Sequence, residues 1–347
     1  MDASRSRRRP RRRSPFTTMS APPALSPIVA HVRKHLPEPL PSQSARPPLF
    51  VAIQGPQGSG KTFLTEHAAA ALRAGTSEYA PLRVATLSID DLYLSHEGLV
   101  ALAEAHPANG LLHGRGQPGT HDIALGLETL RRLKHINDAD SGSQGPVMIP
   151  SFDKSQYNGE GDRVPEAEWT AVEGPLDIVL FEGWCVGFCP QSRAEIEQRI
   201  RKTPTGLESA FDMSKYRLED VLEVNTLLAD YVEWWHMFDL FVQIAPEQTS
   251  PYVHIYQWRL QQEHAMKAKN GGKGMSDEQV KAFVDRYIPG YHFFGHGIRV
   301  GGIDPRTEAL VVLPWLQKDS GGNASGNGKL LRVTIGEDRE LLEAEAQ

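Results

Sequence analysis

An apolar run, Phe50-Val51-Ala52-Ile53, passes directly into Gln54-Gly55-Pro56-Gln57-Gly58-Ser59-Gly60-Lys61-Thr62, and Gly55, Gly60, Lys61 and Thr62 stand in the spacing G-x-x-x-x-G-K-[ST]. The residues that follow, Phe63 to Leu72, are rich in good helix formers. A buried strand, a glycine-rich turn and a helix in that order restrict the chain to an α/β arrangement with an anion-binding loop at a strand end. Gly55, Gly58 and Gly60 allow backbone conformations that a Cβ would block, so successive N–H groups can turn inward on phosphate oxygens. Lys61 adds a point charge that reaches terminal phosphates, and Thr62 offers a hydroxyl to a bridging Mg²⁺. The helix N-terminus faces the same anion. The loop residues Gly55, Pro56, Gln57, Gly58, Ser59, Gly60, Lys61 and Thr62 are therefore expected to hold ATP.

The chain has 347 residues, 40% of them hydrophobic, which is enough for one large α/β domain or two small ones. A net charge of -6 argues against a surface built for nucleic acid or an anionic membrane. The charge is uneven, with Arg5, Arg7, Arg8, Arg9, Arg11, Arg12 and Arg13 crowding the start. A basic arm, a nuclear-type patch and an organellar transit peptide compete for that stretch, and Met19 is an alternative start. No apolar run reaches the roughly 20 residues that span a bilayer, and no signal-peptide hydrophobic region is present. A soluble intracellular protein is expected, cytoplasmic, with the nucleus or an organelle left open by the arm. Cys185 and Cys189 are the only cysteines; two thiolates make an incomplete zinc site, so buried free thiols are expected.

Residues 1–48 read as a basic, then Pro/Ser-rich extension with one short helix around Ile28 to Leu36, and residues 49–347 as the folded domain. Leu82 to Ser88 is a second strand, and strand, helix, strand implies a right-handed crossover in a parallel sheet. Leu176 to Trp184 and Phe238 to Ile244 are further buried strands, with helices expected for Ile123 to Ile136, Arg193 to Lys202 and Leu218 to Met237. Pro251 to Lys269 is a long helix. Ser276 and Gln279 form a capping box for the next helix, which is expected to stop before Pro289. The segment 251–290 reads as a helical lid. Leu310 to Leu313 and Leu330 to Ile335 are candidate strands, with a Gly/Ser/Asn-rich mobile insert over 318–329 between them.

Ligands of such sheets bind beyond the C-terminal strand ends, which places Asp90 and Asp91 by the loop. Asp90 there can accept a proton from an acceptor hydroxyl, a step worth about 10²–10⁴-fold; it can also cap the next segment or hold Mg²⁺. Asp91 is the reserve. Glu182 ends an apolar strand in the manner of the second metal-binding motif of loops of this kind, so Thr62 and Glu182 are the candidate Mg²⁺ ligands. Arg115, His121 and Lys154 suit a small anionic substrate, though each can equally be a solvated loop residue, and Asp122 can be the N-cap of the helix after it. Arg259 can reach a transferring phosphoryl group from the lid, and with Asp90 and Lys61 completes the candidate catalytic set.

Ser88-Ile89-Asp90-Asp91-Leu92-Tyr93 resembles the D-x-[FL]-Y segment of the phosphoribulokinase, uridine kinase and pantothenate kinase group. Arg115-Gly116-Gln117-Pro118-Gly119-Thr120-His121-Asp122 is similar to the R-x-G-x-P-x-x-x-D segment of pantothenate kinases, one position shorter. Phe152-Asp153-Lys154-Ser155 with Gly161-Asp162-Arg163, Phe181-Glu182-Gly183-Trp184 with Gly187-Phe188, Val224-Asn225, and Trp258-Arg259-Leu260-Gln261 with Gly274-Met275-Ser276-Asp277-Glu278 together resemble the eukaryotic D-glycerate 3-kinase branch. The resemblance covers about Leu49 to Tyr291 and departs at the Arg-rich start and after Gly295. It implies ATP-dependent phosphorylation of D-glycerate to 3-phosphoglycerate. By this likeness Asp90 falls on the catalytic carboxylate, Glu182 on the acid near Mg²⁺, and Arg259 on a lid position that contacts the nucleotide phosphates.

The expected fold is a three-layer P-loop NTPase α/β fold, a mostly parallel sheet flanked by helices under a helical lid. The expected function is that of a kinase using ATP and Mg²⁺ on a small hydroxy acid. Two rivals stand beside it: a kinase for another hydroxyl compound, pantothenate-like or nucleoside-like, and a nucleotide-binding regulatory protein whose basic arm meets nucleic acid.

Overall fold

A sheet whose central strands are apolar on both faces must be covered on both faces, and six strands make up the main sheet. These are β1 (Leu49–Gln54), β2 (Val84–Ser88), β3 (Ile178–Gly183), β4 (Leu240–Pro246) and β5 (Leu330–Ile335), with β6 (Leu341–Ala346) as a more exposed edge. The computed structural model describes residues 22–37, 46–138, 145–202, 216–247, 251–269, 271–317 and 328–347. The Arg-rich start and residues 318–327 of the expected insert lie outside the described residues.

The sheet runs β6-β5-β4-β1-β3-β2. All neighbours are parallel except β5 and β6, which are antiparallel. Because side chains alternate along a strand, consecutive residues of β1 enter opposite layers. Phe50 and Ala52 join one buried cluster with Val179, Phe181 and Phe241. That layer is closed by α4 (Ile123–Lys134), α6 (Leu218–Leu228) and α7 (Val232–Trp235), through Leu130, Leu133, Val224, Trp234 and Trp235. Val51 and Ile53 join the other cluster with Leu180, Val242 and Val333. There α1 (Leu25–Lys34) contributes Ile28 and Val32, and α2 (Lys61–Ala74) contributes Leu64, Ala68 and Leu72. Helix, sheet and helix are thus the three layers.

Two further helices, α3 (His96–Ala105) and α5 (Arg193–Arg201), connect the layers. Over the strand ends lie α8 (Pro251–Lys269), α9 (Asp277–Asp285) and α10 (Ile288–Phe294). The Ser276 hydroxyl accepts from the Gln279 N–H while the Gln279 side chain accepts from the Ser276 N–H, so the capping box forms. Helix α9 ends at Asp285, before Pro289 as expected. Pro289 sits in the first turn of α10, where the missing N–H costs no hydrogen bond. The tail differs from expectation. Only Leu310–Val311 of the first tail segment pairs, in a separate two-stranded ribbon with Gly302–Ile303. Leu341–Ala346, unread as a strand because four of its six residues are Glu or Ala in alternation, closes the main sheet through a hairpin with β5. Among the described residues no helix is long and apolar enough to cross a membrane.

Candidate active site

The sheet register brings three strand ends together. Gln54 of β1 lies opposite Gly183 of β3, and Ser88 of β2 lies opposite Glu182 of β3. The loop after β1, the acid ending β3 and the acids after β2 therefore share one cleft of about 830 Å³, lined by Gly58, Lys61, Thr62, Asp90, Lys154 and Glu182 among others.

The loop has the shape its glycines permit. Gly58 (φ 74°) and Gly60 (φ 84°) are left-handed, and Gly60 is the N-cap from which α2 starts at Lys61. Glycine is the residue that takes this conformation without strain. Three buried polar atoms here have no hydrogen-bond partner among the described residues: Ser59 Oγ, Gln57 Oε1 and Glu182 Oε2. Buried polar atoms left open around a cationic loop mark a site built for a polar ligand. Not every loop amide is free, since the Gln57 N–H donates to the Tyr291 hydroxyl at 3.1 Å.

Thr62 and Glu182 meet as predicted: Thr62 Oγ1 donates to Glu182 Oε1 at 3.1 Å, and Lys61 Nζ stands 3.7 Å from Glu182 Oε2. Glu182 is buried, and its second oxygen faces only that lysine. Among the described residues no group of three or more His, Cys, Asp or Glu side chains is placed to hold a metal alone. A divalent cation on Thr62 and Glu182 would need phosphate and water oxygens to complete its shell, the usual habit of Mg²⁺.

Asp90 is positioned by its own turn. Residues Ile89–Leu92 form one turn of 3₁₀ helix after β2, with the Ser88 hydroxyl accepting the Asp90 N–H and with Ile89 and Leu92 buried. Tyr93 donates its hydroxyl to Asp90 Oδ1 at 3.1 Å, and Lys154 Nζ lies 2.5 Å from Asp90 Oδ2. Burial alone would raise the Asp90 pKa, but Lys154 and Lys61 outweigh it and hold the carboxyl below its ordinary range. Asp90 is thus an anion at neutral pH. Asp91 also lines the cleft, accepts the Phe152 N–H at 3.2 Å, and is pushed up by burial to about 6.

The remaining predicted residues divide. Arg115 lines the cleft, and its Nη1 donates to the carbonyls of Gly159 and Glu160 on the neighbouring loop. Arg259 also lines the cleft, from α8, with its Nη1 2.9 Å from the fully buried Glu263. His121 does not reach the cleft wall. It is 3% exposed, stacks on Tyr93 at 4.3 Å and bonds the Tyr231 hydroxyl through Nδ1. Burial lowers its pKa to about 3, although Asp90 opposes that, so the ring is neutral. Asp122 caps α4, its side chain accepting the Leu125 N–H. Cys185 and Cys189 are both free and buried.

Sequence reading missed Tyr93, Tyr291 and Arg339. Tyr93 carries a signal, since it closes the very segment that pointed to Asp90. Tyr291 and Arg339 carry none, because a hydroxyl or guanidinium that meets the loop from more than two hundred residues away leaves no local pattern.

No protein-family model matches the chain. A protein of Arabidopsis thaliana named D-glycerate 3-kinase, chloroplastic, is 39% identical over 247 residues, 71% of this chain and 47% of that protein. The chain therefore spans about half the length of that relative. A Saccharomyces cerevisiae protein named as a probable ATP-dependent kinase is 39% identical over 250 residues, 71% of this chain and 78% of that one. The solved structure of D-glycerate 3-kinase from Cryptococcus neoformans superposes with a TM-score of 0.73 at 35% identity, covering 93% of this chain and 97% of that one. With a strand, phosphate loop and helix opening the sheet and both comparisons agreeing over most of its length, the chain belongs to the D-glycerate 3-kinase family of ATP-dependent P-loop kinases.

Proposed function

We propose that the chain transfers the γ-phosphoryl group of ATP to the 3-hydroxyl of D-glycerate, releasing ADP and 3-phosphoglycerate. The observation that carries this reading is the Asp90–Lys154 pair in the cleft of the phosphate loop: a carboxylate kept anionic beside a cation that is itself half exposed to the cleft. A small hydroxy acid needs both, a base for its hydroxyl and a positive group for its carboxylate.

In this reading the triphosphate lies along Gly55 to Thr62, with Lys61 Nζ at its end. Asp90 accepts the hydroxyl proton as the acceptor oxygen forms its bond to the γ-phosphorus and the bond to the β–γ bridging oxygen breaks. Tyr93 and Lys154 hold the Asp90 oxygens in place for that step. Lys154 and Arg115 receive the substrate carboxylate, Arg115 by giving up its contacts with the Gly159 and Glu160 carbonyls. Thr62 and Glu182 would hold Mg²⁺, which would supply charge neutralisation for the phosphates. Arg259, on α8, adds positive charge from a lid of α8 and α9, and closing that lid excludes water that would otherwise take the phosphoryl group. His121 acts behind this site, stacking on Tyr93 and so steadying the hydroxyl that holds Asp90.

The test is a panel of acceptors with Mg²⁺ and ATP: D-glycerate, glycerol, pantothenate and a nucleoside, with ADP release followed. D-Glycerate should be turned over with kcat/KM at least a hundredfold above glycerol, which lacks the carboxylate. Preferred turnover of pantothenate or the nucleoside would overturn the choice of acceptor, and ADP release that needs no acceptor would overturn the kinase chemistry.

A further inference from the structure

A phosphate loop turns its N–H groups inward, so some of its carbonyls must turn outward and find donors elsewhere. One of those donors comes from the far end of the chain. Arg339 Nε donates to the Gly58 carbonyl at 2.7 Å, its Nη1 donates to Gln261 Oε1 at 2.8 Å, and its Nη2 reaches the Trp258 carbonyl at 3.4 Å. The guanidinium carbon stands 5.6 Å above the Trp258 ring, and the side chain forms part of the cleft wall. One side chain thus links the loop to two residues of α8.

The backbone around it makes the placement informative. Arg339 is in the turn between β5 and β6, where the Gly336 N–H donates to the Glu340 carbonyl and the Arg339 N–H donates to the Gly336 carbonyl. That three-residue connection ends in a left-handed residue, the position glycine favours. Arg339 occupies it with φ 63°. The turn is also pinned to α8 from its other side, because Trp258 Nε1 donates to the Glu337 carbonyl at 2.6 Å. Gly58 completes the junction: a Cβ there would stand 2.6 Å from Trp258 Cβ, so loop, helix and hairpin meet with no room between them.

The charge at this junction is not neutralised. Among the described residues Arg339 forms no ion pair within 4.0 Å, and Asp338 is the one acid that acts on it electrostatically. Two of the five guanidinium N–H groups remain after the three contacts above. A cation in the wall of a phosphate-binding cleft, with donors to spare, is attracted to the anion the cleft receives.

We infer that Arg339 is a nucleotide-positioning residue: it fixes the Gly58 carbonyl so that the loop amides face the phosphates, ties the loop to α8, and adds positive charge at the mouth of the nucleotide site. The C-terminal hairpin is then a working wall of that site. This inference rests on the reading that the loop binds nucleotide and does not depend on which acceptor is phosphorylated.

The left-handed backbone supplies the discriminating variant. Arg339→Gly relieves the turn while removing the side chain, so a hairpin that matters only for stability would be held or strengthened by it. ADP binding to the full chain by calorimetry, thermal unfolding, and KM for ATP and for D-glycerate are measured for the unmodified protein, Arg339→Gly and Arg339→Lys. The expected result is an ADP Kd raised about tenfold in Arg339→Gly with no drop in the unfolding midpoint, a parallel rise in KM for ATP, and an unmoved KM for D-glycerate. Arg339→Lys, which keeps the charge and one donor, should recover part of the affinity. Arg339→Gly binding ADP within twofold of the unmodified protein overturns the inference, as does a loss of affinity fully matched by a fall in the midpoint. An unmodified protein that fails to bind ADP overturns instead the nucleotide reading beneath it.

Discussion

Gly58→Ala separates the two demands the fold places on the phosphate loop. The first is conformational: Gly58 has φ 74°, and a left-handed alanine costs roughly 1–2 kcal/mol. The second is steric. The new Cβ would stand 2.6 Å from Trp258 Cβ and 2.7 Å from the Trp258 carbonyl carbon, atoms fixed in the backbone of α8. Forcing a methyl into such a contact costs about 1–3 kcal/mol, so the two together come to about 2–5 kcal/mol. Either the loop or α8 must move, and both line the nucleotide cleft. At 1.4 kcal/mol per factor of ten, ADP affinity should fall by about 30-fold or more. Gly328→Ala is the control, because Gly328 has φ 70° but an added Cβ meets nothing within 4 Å. Calorimetric ADP titration of both variants should show loss of affinity in Gly58→Ala alone. Equal ADP binding by Gly58→Ala and the unmodified protein would refute the claim that the packing of α8 on the loop shapes the site.

The remaining predictions concern the acids and their partners. Asp90→Asn should lower kcat by about 10²–10⁴ while ADP still binds, and an unchanged kcat would remove Asp90 as the base. Lys154→Met removes one of the two lysines that offset the burial of Asp90, so the Asp90 pKa rises and the acid side of the kcat/KM profile moves to higher pH. A profile of identical shape from pH 5 to 8 would show that Lys154 does not tune Asp90. Asp91 titrates at about 6 in the fold against an ordinary 3.8, so the folded state holds its proton more tightly than the unfolded chain does. Asp91 therefore contributes stability that is lost as pH rises from about 4 through about 6. Asp91→Asn should flatten that slope and raise the unfolding midpoint at pH 7.5, and a midpoint that falls would contradict the role of burial there.

The parts of the molecule that local chemistry determines were legible in the sequence. Gly58, Gly60, Lys61 and Thr62 announce a phosphate loop because the conformation itself needs glycine, and the apolar runs ending in Ser88 and Glu182 announce strands of the sheet. Ser276 and Gln279 announce a helix start because the capping box is closed within four residues. Contacts made across the fold were not legible. Tyr291 meets the Gln57 amide, and Arg339 meets the Gly58 carbonyl, only because the fold packs their distant segments against the loop. His121 shows the opposite case: a histidine in a promising loop turned inward, where it stacks on Tyr93 and bonds Tyr231 through Nδ1.

The most direct measurement follows the label. ATP carrying a radioactive γ-phosphoryl group is mixed with the purified chain, Mg²⁺ and D-glycerate, and the products are separated. Label should appear in 3-phosphoglycerate in step with ADP, and should vanish from it when Lys61→Ala replaces the unmodified protein. Label found only in inorganic phosphate, or no transfer at all while ATP binds, would contradict the assignment of the loop and Asp90 to a shared phosphoryl transfer.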